Sequence, residues 1–467
     1  MLPGKTKTPV ICSGPTRRGL LALGASAFLP AFMGGGYARA AKQSRTRSVI
    51  LVNLFGGPSH IDTFDMKPDA PKEIRGEFGS IPTSIPGYRV CEYLPQIARR
   101  MNDATIIRTV SHGYNSHNPY SVLTGFTGGS DRENYFAKPS DHPSMSAICQ
   151  HLGMNTPGVP FHVLMPAYPG FSQGLRRAGP YGGYLGRQYD PLLTQCEPTF
   201  ARKGAFYDPV VPVGEPMLGG LGNNMGITID RLHDRKALHR NIESARQSYD
   251  SGYVGKAWNR QQQEAFELLT SSRIGSAIDL QKEPASVCDR YGRNLYGASL
   301  LAARRLVESG VTFVTVNWEC AADTHGGHWD MHNNNFGMLK FNLPILDVMV
   351  SALMDDLQAR GLWDSTLVIV TGEMGRTPKV NAAAGRDHWP QCGFALLFGS
   401  QIRKGLIYGT SDKQAAYPSD HAVSPGDLCA TVYHLLGVDS EATMLDNLGR
   451  PIHVSHGGKP IMQILGS

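Results

Sequence analysis

The chain has no CxxC pair: its eight cysteines (Cys12, Cys91, Cys149, Cys196, Cys288, Cys320, Cys392 and Cys429) are widely scattered. That spacing excludes a zinc ribbon and a dense disulfide scaffold and leaves room for one or two bridges. Acidic residues are missing from the first forty positions, whereas Lys5, Lys7, Arg17, Arg18 and Arg39 all fall there. The net charge of +6 is therefore mostly terminal, and the remainder of the chain is close to neutral. No basic patch supports a nucleic-acid partner. Beyond the first forty residues there is no uninterrupted apolar run of about 18 residues, so the mature chain carries no sequence signal for a membrane span. With 41% hydrophobic and 18% charged residues over 467 positions, the composition is that of a globular protein with an ample core.

The terminal charge marks an address rather than a fold. Thr16-Arg17-Arg18-Gly19-Leu20-Leu21 sets paired arginines before a modest apolar run that reaches Met33, and Ala38-Arg39-Ala40 forms a small-residue cleavage site before Ala41. Residues 1–40 read as a twin-arginine signal peptide, which makes the twin-arginine export machinery a partner and the periplasm or the exterior the destination. Residues 41–467 read as one domain with an insertion at about 168–280.

Apolar, β-rich runs alternate with helical periods through that domain. Strands are expected at Ser48 to Phe55, Ala104 to Val110, Val159 to Met165, Val311 to Asn317, Thr366 to Thr371 and Phe394 to Phe398. Helices are expected at Leu94 to Met101, Asn294 to Ser309, Asn342 to Gly361 and Pro425 to Gly437. This alternation predicts an α/β three-layer sandwich with a mainly parallel central sheet. Within the insertion, Tyr168 to Asp208 shows neither period, and Ile229 to Leu280 turns helical and charged.

Ligand-type side chains crowd the ends of these strands, where open α/β sheets place their sites. His60, Asp62 and Asp65 follow the first strand, and Asn115, Ser116 and His117 follow the second. Asp323, His325, His328, Asp330 and His332 fall within ten residues of one another. The strand at 366–371 empties into Gly372-Glu373-Met374-Gly375-Arg376, and His388 lies fifteen residues beyond Glu373 in Gly385-Arg386-Asp387-His388-Trp389-Pro390. Mixed imidazole and carboxylate donors suit zinc, manganese or iron, whereas sites made wholly of oxygen suit calcium or magnesium.

The runs GGPSHIDTFD (Gly56 to Asp65), LTG (Leu123 to Gly125), RYGRN (Arg290 to Asn294), WDMH (Trp329 to His332), GEMGRTP (Gly372 to Pro378) and GRDHWP (Gly385 to Pro390) stand in an order that resembles the alkaline phosphatase superfamily. They are most similar to its twin-arginine-exported, sulfatase-like branch, which carries a domain of unknown function. The resemblance implies an alkaline-phosphatase-like sandwich and a divalent metal, zinc or manganese, with calcium as an alternative. Carried over, Glu373 takes the carboxylate position and His388 the histidine position, and Asp330 with His332 completes the metal site ahead of the competing Asp323, His325 and His328.

Three positions depart from that pattern. Met374 stands where the second member of a metal-binding Asp-His pair belongs. The first strand ends in Asn53-Leu54-Phe55 without the usual aspartate, so His60 or Asp62 would substitute from the loop. The nucleophile position, ten residues before Gly125, is Asn115, with Ser116 reached by a one-residue slip. Glu373 would act as ligand or general base, and Arg376 or His117 would neutralise oxyanion charge. The activity implied is hydrolysis of a sulfate or phosphate ester on an anionic small molecule or glycan. The alternative is a catalytically inactive relative that binds sulfated or anionic glycans. The resemblance implies no formylglycine chemistry, which needs a cysteine, or in some members a serine, followed by x-Pro-x-Arg ahead of the LTG turn: no cysteine lies between Cys91 and Cys149, and residues 115–119 read Asn-Ser-His-Asn-Pro.

The address is testable directly. Replacing Arg17 and Arg18 together with lysine should leave the precursor in the cytoplasm, read by fractionation and immunoblotting; normal export of that variant would contradict the signal-peptide reading.

Overall fold

The computed structural model describes residues 46–129, 135–171, 174–197, 212–218, 272–319 and 329–466. The expected signal peptide and most of the expected helical stretch from Ile229 lie outside these described residues. Nine strands form one sheet: β1 (Ser48–Leu54), β2 (Ala104–Val110), β3 (His162–Met165), β4 (Leu192–Cys196), β5 (Pro216–Leu218), β6 (Phe313–Trp318), β7 (Thr366–Thr371), β8 (Gly393–Gly399) and β9 (Leu406–Tyr408). Their spatial order is β9-β2-β8-β7-β1-β6-β3-β4-β5. β8 runs antiparallel to both neighbours and β5 runs antiparallel to β4, whereas the other pairings are parallel.

β1 occupies the middle because SVILVNL offers apolar side chains to both faces and is buried at every position. Pleating sends alternate residues to opposite layers. Ile50, Val52 and Leu54 enter a core shared with Leu300 and Leu301 of one helix and Leu346 and Val350 of another, whereas Val49 and Leu51 join Ile148, Val432 and Leu436 on the other face. The helices concerned are α1 (Tyr120–Thr124), α2 (Met145–His151), α3 (Leu295–Glu308), α4 (Asn335–Ala359) and α5 (Pro425–Leu436). The architecture is the α/β three-layer sandwich that the alternation predicts.

Local chemistry sets the ends of these elements. Ser424 and Asp427 form a reciprocal capping box at the start of α5, Pro425 fits its first turn, and Gly437 closes it in the left-handed region. α4 begins at Asn335, seven residues before its expected start, and runs on through Pro344. The asparagines at 333–335 read as turn chemistry in a linear pattern, but burial of Phe336, Met338 and Leu339 carries the helix through this segment. α4 is long and apolar enough to cross a membrane by composition, yet 67% of its apolar window is buried inside the protein. The irregular reading of Tyr168 to Asp208 also needs correction, because β4 extends the sheet there with only five residues, too few for a two-residue period to register. Cys91, Cys149, Cys196, Cys288, Cys392 and Cys429 are free thiols.

At the carboxyl end of the sheet, a buried ion pair locks two loops together. Arg386 donates from Nε to Asp62 Oδ2 (2.7 Å) and from Nη2 to Asp62 Oδ1 (2.8 Å), and both residues are fully buried. Ser59 Oγ (2.7 Å) and Asn335 Nδ2 (2.9 Å) also donate to Asp62, so the loop after β1 is tied to the first residue of α4. Removing one partner of such a pair strands a charge in the interior. Asp62→Ala should therefore lower the unfolding free energy by about 3–5 kcal/mol in a denaturant titration. Asp289→Ala, which breaks an exposed pair with Arg293, should cost far less, because solvent screens it. Equal effects would contradict the clamp.

Candidate metal centre

The loops that follow β1, β2, β6 and β7 leave the same edge of the sheet, and two glycines let them meet. Gly56 has φ +112°, and a Cβ there would lie 2.3 Å from the Asp330 nitrogen. Only glycine admits the chain at 329–330 so close, and Trp329 N donates to Phe55 O at 2.9 Å across that contact. On the far side of the same segment, a Cβ on Gly385 would lie 1.8 Å from the His332 carbonyl oxygen, and Arg386 N donates to Met331 O at 2.9 Å. Asp330 and His332 are thus held between two glycine contacts. A short antiparallel ribbon then sets Arg376 opposite His388.

These contacts bring His117, Asp330, His332 and His388 together, with one ligand atom from each lying within 4.8 Å of the others. Asp330 is the hub. His117 Nε2 lies 3.1 Å from its Oδ2, while His332 Nε2 (3.1 Å) and His388 Nε2 (3.5 Å) approach its Oδ1. Arg376 Nη2 donates to the same Oδ1 at 2.6 Å. His332 and His388 have their Nε2 atoms 3.0 Å apart, and the His117 and His388 rings meet edge to face with centroids 4.1 Å apart.

Electrostatics follow from this crowding. Burial pushes the Asp330 carboxyl up, but hydrogen bonds from His117, His332 and His388 and the charge of Arg376 outweigh it and hold the group well below the usual carboxylate range. Burial pulls His117 down, yet the neighbouring Asp330 and Glu373 carboxylates prevail and raise it. The bond to Asp330 raises His332 against a smaller burial effect. His388 is lowered, because burial and the neighbouring His117 exceed the pull of Asp330. Three imidazoles share one carboxylate, and all three cannot be charged at once.

Glu373 closes the buried side. It is 2% exposed, and its Oε1 accepts from Gly56 N at 2.7 Å. Its Oε2 is buried with no hydrogen-bond partner, and His117 Nδ1, also without one, lies 3.6 Å from Glu373 Oε1. Buried polar atoms left open beside three imidazoles and a carboxylate fit a borderline divalent cation. The residues present therefore suit the metal that the sequence resemblance implies.

The sequence-predicted residues divide on this geometry. Asp330, His332 and His388 converge, Glu373 borders them, and His117, expected to meet an oxyanion, lies in the same cluster. Arg376, expected as an oxyanion partner, is fully buried, with its N–H groups directed to the carbonyls of Gly56, Gly57 (2.8 Å), Arg386 (3.0 Å) and Trp329 (3.3 Å). His60 and Asp62, expected as substitute ligands, are not in the donor cluster. His60 Nε2 is bonded to Ala415 O at 2.7 Å, and Asp62 is held by Arg386. Asn115 is exposed, whereas Ser116 is buried with its hydroxyl accepting from Asn118 at 3.3 Å. Asp323, His325 and His328 lie outside the described residues. Asn53, at the strand position that lacks an aspartate, donates to Asn317 Oδ1 at 2.8 Å.

No curated protein matches the chain. Among solved structures it is similar to Ps i-CgsB, at 13% identity over 90% of this chain and 77% of that one, with a TM-score of 0.42. It is also similar to the PsFucS1 sulfatase from Pseudoalteromonas sp., at 10% identity over 92% and 73% of the two chains and a TM-score of 0.36. The phosphonate monoester hydrolase SpPMH from Silicibacter pomeroyi gives 13% identity, 91% and 76% coverage and a TM-score of 0.38. The family described as protein of unknown function DUF1501 matches residues 46–465, and the chain belongs to that family.

Proposed function

We propose that this protein is an exported, metal-dependent hydrolase of sulfate or phosphate esters, with His117, Asp330, His332 and His388 as the metal donors. The observation that carries the reading is the convergence of those four side chains from loops after β2, β6 and β7, next to a buried Glu373 whose Oε2 has no partner. A divalent transition metal, zinc or manganese by donor type, supplies a Lewis acid able to polarise a sulfuryl or phosphoryl oxygen.

The charge balance favours such an occupant. Two carboxylates, Asp330 and Glu373, face one guanidinium, Arg376, which leaves one negative charge in excess in a largely buried setting. With the imidazoles neutral, as ligation requires, a divalent cation turns that excess into one positive charge, which suits an anionic ester. Arg376 keeps Asp330 ionised and aligned. Glu373 Oε2 is the atom placed to accept a proton, and its Oε1 stays on Gly56 N. The expected nucleophile position holds Asn115, whose amide is not a nucleophile of the usual kind, so water is the proposed attacking group.

That last arrangement also supports the second reading, a catalytically idle relative that holds sulfated or anionic glycans in the same pocket. Metal content and turnover separate the two. Elemental analysis of the purified mature protein should find stoichiometric zinc or manganese, lost in His388→Ala and kept in the surface control His151→Ala at matched folding. Wild-type protein should also release product from an aryl sulfate or aryl phosphate, and lose that activity on chelation. Metal in full measure without turnover would favour the binding protein, and metal retained by His388→Ala would show the centre to be misplaced.

A further inference from the structure

We infer that Asp387 is the positioning residue of this centre: it sets the tautomer and orientation of His332 and thereby how tightly the cation is held. This role rests on the metal-centre reading above and concerns a residue outside the donor set. Asp387 Oδ1 lies 2.7 Å from His332 Nδ1, on the side of the ring away from the cluster. A carboxylate there accepts the Nδ1 proton, so the lone pair is left on Nε2. Nε2 is the atom that faces Asp330 Oδ1 at 3.1 Å and His388 Nε2 at 3.0 Å. Without Asp387, the ring would gain by placing its proton on Nε2 and donating to Asp330, which removes a metal donor.

His332 is also the donor with most need of an outside hold. Its side chain is 33% exposed, against 25% for Asp330, 22% for His117 and 20% for His388. Packing therefore constrains it least. Asp387 in turn is fixed from several directions. Its N–H donates to Thr377 Oγ1 at 2.9 Å, and its carbonyl accepts from Thr377 N at 2.9 Å. Asn381 Nδ2 reaches both the His332 carbonyl (2.9 Å) and Asp387 Oδ1 (3.3 Å), while Asn381 Oδ1 accepts from Gly385 N at 2.9 Å. The loop from Thr377 to Gly385 thus aims one carboxylate at one imidazole.

Energetics argue against a merely structural purpose. The Asp387 side chain is 55% exposed, and an ion pair so open to water contributes little to folding. The same contact has large leverage on a ligand, since partners of this kind typically change metal affinity by about 10–100-fold.

The test uses the full mature chain and cobalt(II) alone as the probe, titrated by its visible d–d absorption in competition with a chelator. Asp387→Ala should weaken cobalt binding by about 10–100-fold and shift the band, while the melting temperature of the metal-free protein stays at the wild-type value. Asp387→Asn, whose amide oxygen can still accept from Nδ1, should bind with intermediate affinity. Wild-type affinity in both variants, with cobalt tightly held by the wild type, would overturn the role of Asp387 alone. No cobalt spectrum from the wild type would overturn the metal centre itself, and with it this role. A fall in metal-free melting temperature for Asp387→Asn that matches its loss of affinity would mark the residue as structural and overturn the inference.

Discussion

Arg376 carries a permanent charge in the interior, and the site is arranged around keeping that charge satisfied. Its guanidinium donates to the carbonyls of Gly56, Gly57, Trp329 and Arg386 and to the carboxylate of Asp330. One side chain thus joins the loop after β1, the segment ahead of α4 and the loop that leads into β8. Taking a guanidinium out of water is costly, and only a nearly complete set of acceptors offsets it. Those acceptors are backbone atoms, so their satisfaction constrains the paths of three loops at once. Asp330 is then aligned before any cation arrives, which is the preorganisation that an electrostatic centre needs.

The two glycine contacts serve the same end. Gly56 and Gly385 remove side-chain volume on either side of residues 330–332, and the Asp62–Arg386 pair anchors the flanking loops from beneath. The layers of the fold do the rest. β1 and β7 are apolar at almost every position and so lie at the centre of the sheet, with their carboxyl ends level at Asn53 and Thr371. Loops leaving neighbouring parallel strands at one level are brought to one place by topology.

Much of this was legible in the linear pattern, for physical reasons that also explain the exceptions. β2 and β7 match their expected bounds because short runs rich in β-branched residues between polar turns admit few other readings. α5 was legible through its serine cap and terminal glycine. The start of α4 was not, since tertiary burial overrode asparagines that locally favour turns. At the site, Asp330, His332 and His388 stood out as dense ligand types near strand ends. His117 was noticed but given another role, because its approach to Asp330 depends on a loop conformation that spacing does not encode. His60 and Asp62 have the right side chains in the right kind of loop, yet burial commits them to Ala415 and Arg386. Residue type identifies what a side chain can bind, and only packing decides what it does bind.

The charge and donor pattern together make one claim about matter in space: a metal ion sits among His117, Asp330, His332 and His388. Crystals of the mature protein grown with zinc, with diffraction recorded on either side of the zinc absorption edge, address it most directly. An anomalous difference peak within coordination distance of those four side chains is the predicted result. A well-ordered centre with no peak there, or a peak at His60 and Asp62 instead, would contradict it.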